Sequence, residues 1–284
     1  MASTLQQETP AHLHHLHIVS PEPERLIAFY QEKMELQPRA SDDGRTVLVG
    51  PGRAVEISHE NDGVPAYSGY ALDTFAQLDT LRARLMSADV ECLPASSVLY
   101  QPGAFSIADP QGRRVAFGLS ALSGPVGKRL RGAPARLQHT VYQTTELECI
   151  VRFYVEKVGF AISDEAVDED GTPMVVFMRS DDEHHSLAFF RGSQNEWDHH
   201  CYETNEWNDI RDWGDRFAAA EVPIFFGPGR HGPGNNLFFM VTDPDGNRLE
   251  FSAELQHVAA NAEPGVWPHG ERTLNSWGRA WVRT

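Results

Sequence analysis

The sequence contains an internal duplication, which constrains the fold more than any other feature does. Residues 13–33 recur as residues 137–157, with a histidine, a Phe-Tyr pair and a lysine at matching places. The ends of the two copies also match, because Asp-Pro-Gln-Gly-Arg-Arg-Val-Ala-Phe at 109–117 aligns with Asp-Pro-Asp-Gly-Asn-Arg-Leu-Glu-Phe at 243–251. Two copies of one unit therefore account for most of the 284 residues.

Local patterns predict that each copy folds as a strand, a helix and then three strands. The β-branched and aromatic run at 139–144 is typical of a strand. Residues 146–158 place their apolar side chains three and four positions apart, which predicts a helix. The segment 123–135 is rich in glycine, proline and cations, as linkers are. We therefore expect an N-terminal domain at 1–122, this linker, a catalytic domain at 136–256 and a tail at 257–284.

Three residues of the second copy form a candidate metal site: His139, His199 and Glu250. A strand projects alternate side chains to one face, so residues on three strands can point into one concavity. Two imidazoles and one carboxylate are the set that holds Fe(II) and leaves positions open for substrate and oxygen. A structural zinc site instead has four ligands, typically including cysteine.

The choice of His199 over its neighbour His200 depends on the register of two strands. Thr144 follows His139 by five residues and Thr204 follows His199 by five, so the strands superpose in phase through His199. A shift of one residue would put His200 in its place.

The first copy keeps only part of this set. It has His15 at the place of His139, but we align Gly69 with His199 and Ala116 with Glu250. We therefore predict a single metal site, in the second copy.

A simpler interpretation also fits each residue alone. A strand histidine is more often a hydrogen-bonded core or surface residue than a ligand, and an isolated Glu250 would be a solvated acid. The joint placement of all three at homologous points of a repeat favours the metal site.

The motif at 229–250 carries a family resemblance. It has the sequence Gly-Arg-His-Gly-Pro-Gly-Asn-Asn-Leu-Phe-Phe-Met-Val-Thr-Asp-Pro-Asp-Gly-Asn-Arg-Leu-Glu. Over residues 10 to 255 the chain resembles the vicinal oxygen chelate superfamily, and its second half resembles the type I extradiol catechol dioxygenases. The resemblance implies an α+β fold of tandem paired βαβββ modules, each forming a cupped mixed sheet.

The resemblance also implies roles for particular residues. His139, His199 and Glu250 would hold Fe(II), or alternatively Mn(II). His185 matches the acid–base histidine, and His231 matches a histidine that hydrogen-bonds the substrate. Met240 stands where the family usually has tyrosine, and a thioether donates no hydrogen bond. Further candidates for the substrate pocket are His200 and Arg272.

The tail is rich in aromatic residues, unlike a disordered segment. Similar tails fold over the mouth of the active site, so a lid is one expectation, and packing at the surface or at a subunit interface is the other. The lid would contain Trp267, His269, Arg272 and Trp277.

The predicted function is ring cleavage of a small catechol-like aromatic substrate by O2. Two alternatives remain: a metal-dependent isomerase or lyase of the glyoxalase kind, and a non-catalytic protein that binds aromatic ligands or drugs.

Composition disfavours two other classes of partner, nucleic acids and membranes. A net charge of −16 disfavours nucleic acid and anionic membranes. No apolar run reaches the roughly 18 residues of a membrane span. The polar first residues differ from a secretory signal, and three cysteines without CxxC spacing are typical of a reducing compartment. We expect a cytoplasmic homo-oligomer.

Overall fold

The computed structural model describes residues 9–41, 44–122 and 135–280. Within these ranges the chain is an α+β protein built from two mixed sheets, which confirms the predicted fold class. The predicted linker lies outside the described residues, apart from Ala135.

Each sequence repeat folds as two βαβββ units, so the prediction of one unit per copy was wrong. The missed helices each bury three side chains at positions three and four apart, the same number that each predicted helix buries. The first module comprises β1 (His12–Ser20), α1 (Pro23–Glu32), β2 (Gln37–Arg39), β3 (Thr46–Gly50), β4 (Arg53–His59), β5 (Tyr67–Ala71), α2 (Phe75–Ser87), β6 (Leu93–Pro94), β7 (Phe105–Ala108) and β8 (Arg114–Gly118). The second comprises β9 (Arg136–Thr144), α3 (Leu147–Phe153), β10 (Ala161–Val167), β11 (Pro173–Arg179), β12 (Leu187–Arg191), β13 (Glu196–Glu203), α4 (Trp207–Ala219), β14 (Phe226–Arg230), β15 (Leu237–Thr242), β16 (Arg248–Ala253), β17 (Gly265–Pro268) and α5 (Glu271–Leu274).

The two sheets share one topology. Their strand orders are β2-β3-β4-β1-β5-β8-β7-β6 and β14-β15-β16-β13-β9-β12-β11-β10-β17. In each, the first strands of the two units pair antiparallel at the centre, and each is flanked in parallel by the last strand of its own unit. The central strands therefore line the deepest part of each cup.

The helices cover the outer faces of the sheets and bury their apolar stripes there. Leu26, Phe29 and Tyr30 of α1 and Trp213 and Phe217 of α4 belong to a single apolar core that also contains strand residues of both modules. Burial of such side chains contributes about 1.5–3 kcal/mol each, which makes this core the main source of stability.

Polar contacts also cross between the modules. Arg53 donates from Nη1 to the carbonyl of Ala135 over 2.7 Å, and the hydroxyls of Ser68 and Tyr142 lie 2.7 Å apart. These contacts join the first sheet to the sheet that carries the candidate site.

No helix among the described residues has both the length and the apolar character needed to cross a bilayer.

Candidate metal centre

The predicted ligands lie on three adjacent strands of the second sheet. His139 is on β9, His199 on β13 and Glu250 on β16. Cys201 of β13 is paired with both His139 and Glu250 in the strand registers, and His199 precedes Cys201 by two residues. Because residues paired across strands, and residues two apart along a strand, share a face, all four side chains face the same cup.

A small cavity lies in this cup, and we call it the second cup. It is lined by His139, His199, Glu250, His185, His231 and Met240, together with five apolar residues and Thr273. Its volume is about 30 Å³, which accommodates one or two water molecules. The strand and loop residues predicted from distant parts of the sequence therefore meet at one point.

The candidate imidazoles are oriented by contacts on their far sides. His139 Nδ1 lies 2.5 Å from Gln138 Oε1, and His199 Nδ1 lies 2.5 Å from Asp198 Oδ1. Both oxygens are acceptors, so each ring carries a proton on Nδ1. In the neutral form the lone pair of each ring is then on Nε2, the atom that a metal would bind.

The carboxylate of Glu250 lies beside one amide donor and two imidazole nitrogens. Asn236 Nδ2 donates to its Oε1 over 3.2 Å, while its Oε2 lies 3.5 Å from His199 Nε2 and 3.6 Å from His231 Nε2. Burial alone would raise the pKa of Glu250, but the nearby His231, His199 and His185 leave it below its usual value. Glu250 is thus ionised at neutral pH.

Two buried histidines of the cup, His139 and His185, are neutral. Burial first, and then the neighbouring His199 and His231, lower the pKa of His139 well below the ordinary value. Burial and the adjacent His139 and His184 do the same for His185. A neutral imidazole is the form that ligates a metal or accepts a proton.

Cys201 is a residue of this centre that the sequence reasoning missed. Among the described residues, the ligand atoms of His139, Cys201 and Glu250 all lie within 4.8 Å of one another. Its Sγ is 3.1 Å from Ser252 Oγ and 3.7 Å from Glu250 Oε1. The signal was present in the sequence, because a residue two positions after His199 in a strand faces the same side.

The two predicted acid–base residues also face the second cup. The ring of His185 lies 4.4 Å from that of His139 between centroids. His231 donates from Nδ1 to the carbonyl of Leu274 over 2.5 Å and stacks on Phe238 at 3.8 Å. Its Nε2 is therefore the atom turned toward Glu250. Met240 lines the same cavity, as predicted for a pocket residue.

Two of the predicted pocket residues do not line this cavity. His200 faces the opposite side of β13, where its Nε2 lies 3.1 Å from Tyr30 Oη and its ring stacks on Trp197 at 4.9 Å. Successive strand residues alternate in direction, so one cup takes either His199 or His200. Arg272 is exposed at the surface of α5. The assignment of both residues to a substrate pocket stays a prediction.

The tail closes one side of the second cup through residues that were not predicted. Thr273 and Leu274 line the cavity, and the amide of Gly232 donates to the carbonyl of Thr273 over 2.8 Å. The tail residues predicted as a lid do not line it: Trp267, His269, Arg272 and Trp277. β17 instead adds a strand to the sheet edge by pairing with β10.

The corresponding concavity of the first module, which we call the first cup, is filled by its own side chains. Glu56 is fully buried and accepts from Arg45 Nη1 and Tyr67 Oη, both over 2.7 Å, and from Ser97 Oγ over 2.5 Å. His15 Nε2 lies 3.0 Å from Tyr67 Oη. The polar groups therefore satisfy one another.

The strand registers correct one alignment of the two modules. Gly69 is paired with His15 and Ala116, just as Cys201 is paired with His139 and Glu250. The position that matches His199 is therefore Tyr67, two residues before Gly69. The sequence alignment was wrong by two residues, because the registers match Tyr70 with Tyr202 and Gly69 with Cys201.

Comparisons with known proteins were made on both sequence and structure. The sequence profile of the Glyoxalase/Bleomycin resistance protein/Dioxygenase superfamily matches residues 136–251. Metapyrocatechase 2 of Cupriavidus necator is 28% identical over 60% of this chain and 59% of its own length. The iron-dependent extradiol dioxygenase of Rhodococcus jostii (strain RHA1) is 28% identical over 80% of this chain and 81% of its own length.

Solved structures share the fold. Homoprotocatechuate 2,3-dioxygenase from Brevibacterium fuscum, in an anaerobic complex with 3,4-dihydroxyphenylacetate, superposes with a TM-score of 0.80 at 20% identity, covering 99% of this chain and 92% of that one. The Mn(II)-bound glyoxalase from Novosphingobium aromaticivorans has a TM-score of 0.77 at 23% identity, covering 96% and 92%.

The extent of these matches differs among the relatives. The chain spans 59% and 46% of the lengths of the two metapyrocatechases it matches. The profile match covers the module that contains the second cup, and the structural matches extend over both modules. Residues 136–251 therefore match the model of the Glyoxalase/Bleomycin resistance protein/Dioxygenase superfamily, and the solved structures share the fold of both modules.

Proposed function

We propose that the chain is an extradiol-type dioxygenase that cleaves a catechol-like ring with O2, using one divalent iron held by His139, His199 and Glu250. The observation that carries the proposal is the donor set of the second cup. Two imidazoles have their Nδ1 protons committed to Gln138 and Asp198, and the third donor is an ionised carboxylate. These residues fit a divalent ion that requires neutral nitrogen and anionic oxygen ligands.

The set of two imidazoles and one carboxylate favours iron over manganese only weakly, since both ions accept these ligands. One sequence relative is described as iron-dependent, and one structural relative as Mn(II)-bound. We propose Fe(II) as the working ion. When bound, the ion would act as a Lewis acid toward two vicinal substrate oxygens and provide the redox path between the ring and O2.

The residues of the chain supply the proton chemistry. His185 is neutral in the second cup, so it can accept a proton from a substrate hydroxyl and return it later to an oxygen of the product. His231 turns Nε2 toward the same space and is held by Leu274. Both atoms of O2 enter the ring-opened product, so the reaction requires no further electron donor.

The walls of the second cup decide what can enter. Its present volume of about 30 Å³ is below the ~150 Å³ of an apolar cavity that binds benzene. Thr273 and Leu274 come from the tail, so displacement of this segment is the route by which a ring would gain space. We therefore retain the tail as a proposed lid, formed by these two residues.

Three accompanying expectations remain proposals. The described cysteines, Cys92, Cys149 and Cys201, are all unpaired thiols, which supports a reducing, cytoplasmic location. The division at 1–122, 123–135, 136–256 and 257–284 is kept as the proposed domain organisation. We also propose a homo-oligomer, which light scattering of the purified chain would test.

Oxygen consumption tests the proposed activity. The chain would be reconstituted anaerobically with Fe(II) or Mn(II) and then mixed with a panel of catechols in an oxygen electrode. We expect oxygen uptake equal to the substrate consumed, together with the absorbance of a ring-opened product. Metal-dependent turnover of a substrate without oxygen uptake would support a glyoxalase-like reaction, and tight binding of aromatic ligands without metal or turnover would support a binding protein.

A further inference from the structure

A second cavity lies between the two modules, and we call it the intermodule pocket. Its volume is about 220 Å³, and none of its lining residues lines the second cup. Leu16 and Ile18 of β1 give it apolar walls, and the partly exposed rings of Tyr142 on β9 and Trp197 on β13 also line it. An apolar cavity of ~150 Å³ binds benzene. The intermodule pocket is therefore large enough for one aromatic ring with a small substituent.

Arg114 brings an unmatched positive charge to this pocket. It lines the cavity and is half-buried, and within residues 9–41, 44–122 and 135–280 its side chain has no hydrogen bond or ion pair. The neighbouring Arg113 is committed elsewhere, because its Nε donates to Asp109 Oδ2 over 2.7 Å and its guanidinium lies over the ring of Tyr142 at 5.2 Å. Both Nη atoms of Arg113 are closed off from solvent. Arg114 is therefore the guanidinium that a ligand in the pocket can reach.

The second module shows how the same position is satisfied when an acid is present. Arg114 matches Arg248, because each comes directly after an Asp-Pro-x-Gly-x turn and the strand pairs place the two arginines beside matching residues of β5 and β13. Arg248 Nη1 lies 3.5 Å from Asp198 Oδ2. The residue that matches Asp198 in the first module is Ala66, which also lines the intermodule pocket. The first module thus has the arginine without its carboxylate.

Two further polar residues of the pocket differ in what they offer to a ligand. Asn195 Oδ1 accepts from the amide of Thr145 over 2.9 Å, so its Nδ2 stays an uncommitted donor in the part of the chain that the structure describes. Glu196 is exposed and forms no ion pair with Arg114 among the described contacts. Water and salt screen the exposed carboxylate, whereas a half-buried guanidinium keeps more of its attraction for an anion.

We propose that the intermodule pocket binds a small aromatic carboxylate, whose carboxylate pairs with Arg114 and whose ring lies against Tyr142 and Trp197. A guanidinium matches a carboxylate with two parallel N–H donors, and aromatic walls favour a flat ring. This site goes beyond the proposed ring cleavage and does not depend on it. Because the whole chain has a net charge of −16, attraction of an anion must come from the local cation, and salt should weaken it.

Three ligands test the chemistry of the pocket. Benzoate, benzamide and acetate would be titrated up to millimolar concentrations into the metal-free, full-length chain by isothermal calorimetry. Benzamide keeps the ring without the charge, and acetate keeps the charge without the ring. A hydrogen-bonded charge pair contributes about 10- to 100-fold in affinity, so we expect benzamide to bind more weakly than benzoate by this factor. Acetate should also bind more weakly, because it cannot contact the aromatic walls.

Variants at two positions of the first module test the assignment of Arg114. Arg114→Gln removes the cation, and Ala66→Asp supplies the carboxylate that the second module has at this place. Both should weaken benzoate binding about 10- to 100-fold. Ala66→Asn is the matched control for added volume, and Arg25→Gln is the control for loss of a positive charge at the surface, where the side chain is 63% exposed. We expect near-parental affinity in both controls.

The indole N–H signals of ¹⁵N-labelled tryptophan locate the bound ligand, with Trp197→Phe identifying the signal of Trp197. We expect benzoate to shift the Trp197 signal and to leave that of Trp267, on β17, in place. Absence of benzoate binding to the parent would overturn the proposal, as would equal affinities for benzoate and benzamide. Parental affinity in both Arg114→Gln and Ala66→Asp, or a shift at Trp267 without one at Trp197, would also overturn it.

Discussion

The two cups have the same strand topology but different contents. In the first, Glu56 is matched to Arg45, Tyr67 and Ser97, so its charge and hydrogen bonds are satisfied within the protein. In the second, Glu250 faces imidazole nitrogens whose opposite sides are already committed to protein acceptors. An arginine supplies both the positive charge and the hydrogen bonds that a carboxylate needs. The lone pairs of neutral imidazoles, in contrast, remain available to bind an added cation. The comparison suggests a division of roles: the proposed metal ion would supply in the second cup the positive charge that Arg45 supplies in the first.

The largest effect should come from removing a ligand in the second cup. His199→Ala should lower Fe(II) affinity by more than the ~100-fold typical of losing an outer partner, and turnover should be lost with the metal. Cys201→Ala should change Fe(II) affinity little, because burial and the neighbouring Glu250 raise the pKa of the thiol well above its usual value, so it stays a protonated, poor ligand. Anaerobic competition with a coloured chelator measures both.

The reverse result would change the assignment of ligands. If Cys201→Ala released the metal and His199→Ala retained it, the ligands would instead be His139, Cys201 and Glu250, which are paired across neighbouring strands.

In the first cup the main effect should be on stability. Glu56→Gln leaves the Arg45 guanidinium, which is 7% exposed, without its carboxylate. Breaking a buried ion pair in this way costs about 3–5 kcal/mol. Urea unfolding should show this loss, while the Fe(II) content of the second cup stays at the parental level.

A control for that experiment is an ion pair at the surface. Glu254→Gln removes the partner of Arg230, and such an exposed pair contributes about 1 kcal/mol or less. Equal destabilisation by the two variants would show that Glu56 is not the centre of the first cup. Loss of iron in Glu56→Gln would show that the cups are coupled.

An intermediate effect is expected from Asp198, which orients His199. Asp198→Ala should weaken Fe(II) binding about 10- to 100-fold, because the imidazole loses its fixed tautomer and direction. Tyr67→Phe removes the hydroxyl that contacts His15 at the matching position of the first cup, and it should leave Fe(II) binding unchanged. Isothermal titration under nitrogen would compare the two variants, and equal affinities would argue against an orienting role for Asp198.

The smallest effect concerns pH and involves both modules. Burial lowers the pKa of His15 to about 3 and the pKa of His200 to about 3. Because these pKa values are lower in the folded chain than in the unfolded one, the stability they contribute is present above about pH 6.5 and is lost as the pH falls toward 3. Each histidine contributes up to about 1.4 kcal/mol per pH unit within that window.

Urea midpoints of the metal-free protein at pH 7.5 and pH 5.5 would measure this dependence. We expect lower stability at pH 5.5 and a smaller decrease in His200→Phe. A parent protein equally stable at both values would contradict neutral burial of these rings.

Several features of the fold and of the candidate site could be predicted from patterns of residues. The duplication and the Asp-Pro-x-Gly turns predicted two related modules, and alternation along β13 favoured His199 over His200, in agreement with the opposite directions of their side chains. The inward direction of Cys201 followed from strand alternation but was overlooked. Helices α2 and α4 were also overlooked, although their buried side chains recur at positions three and four apart.

Other features depended on contacts between distant segments. The strand registers moved the match of His199 from Gly69 to Tyr67, and strand register depends on pairing between distant segments that residue types do not specify. The wall formed by Thr273 and Leu274 lies more than 70 residues from His199 in the chain, and only tertiary packing brings the two together.

The sequence by itself determined the repeat, the strand periodicity and the residue types of the second cup, because these are local properties of the chain. The tertiary structure decided which side chains share a cup and which nitrogen of each histidine is directed inward. Those properties depend on strand register and on hydrogen bonds between residues far apart in the chain. A one-residue change in strand register would turn every side chain of that strand to the opposite face of the sheet without any change in sequence.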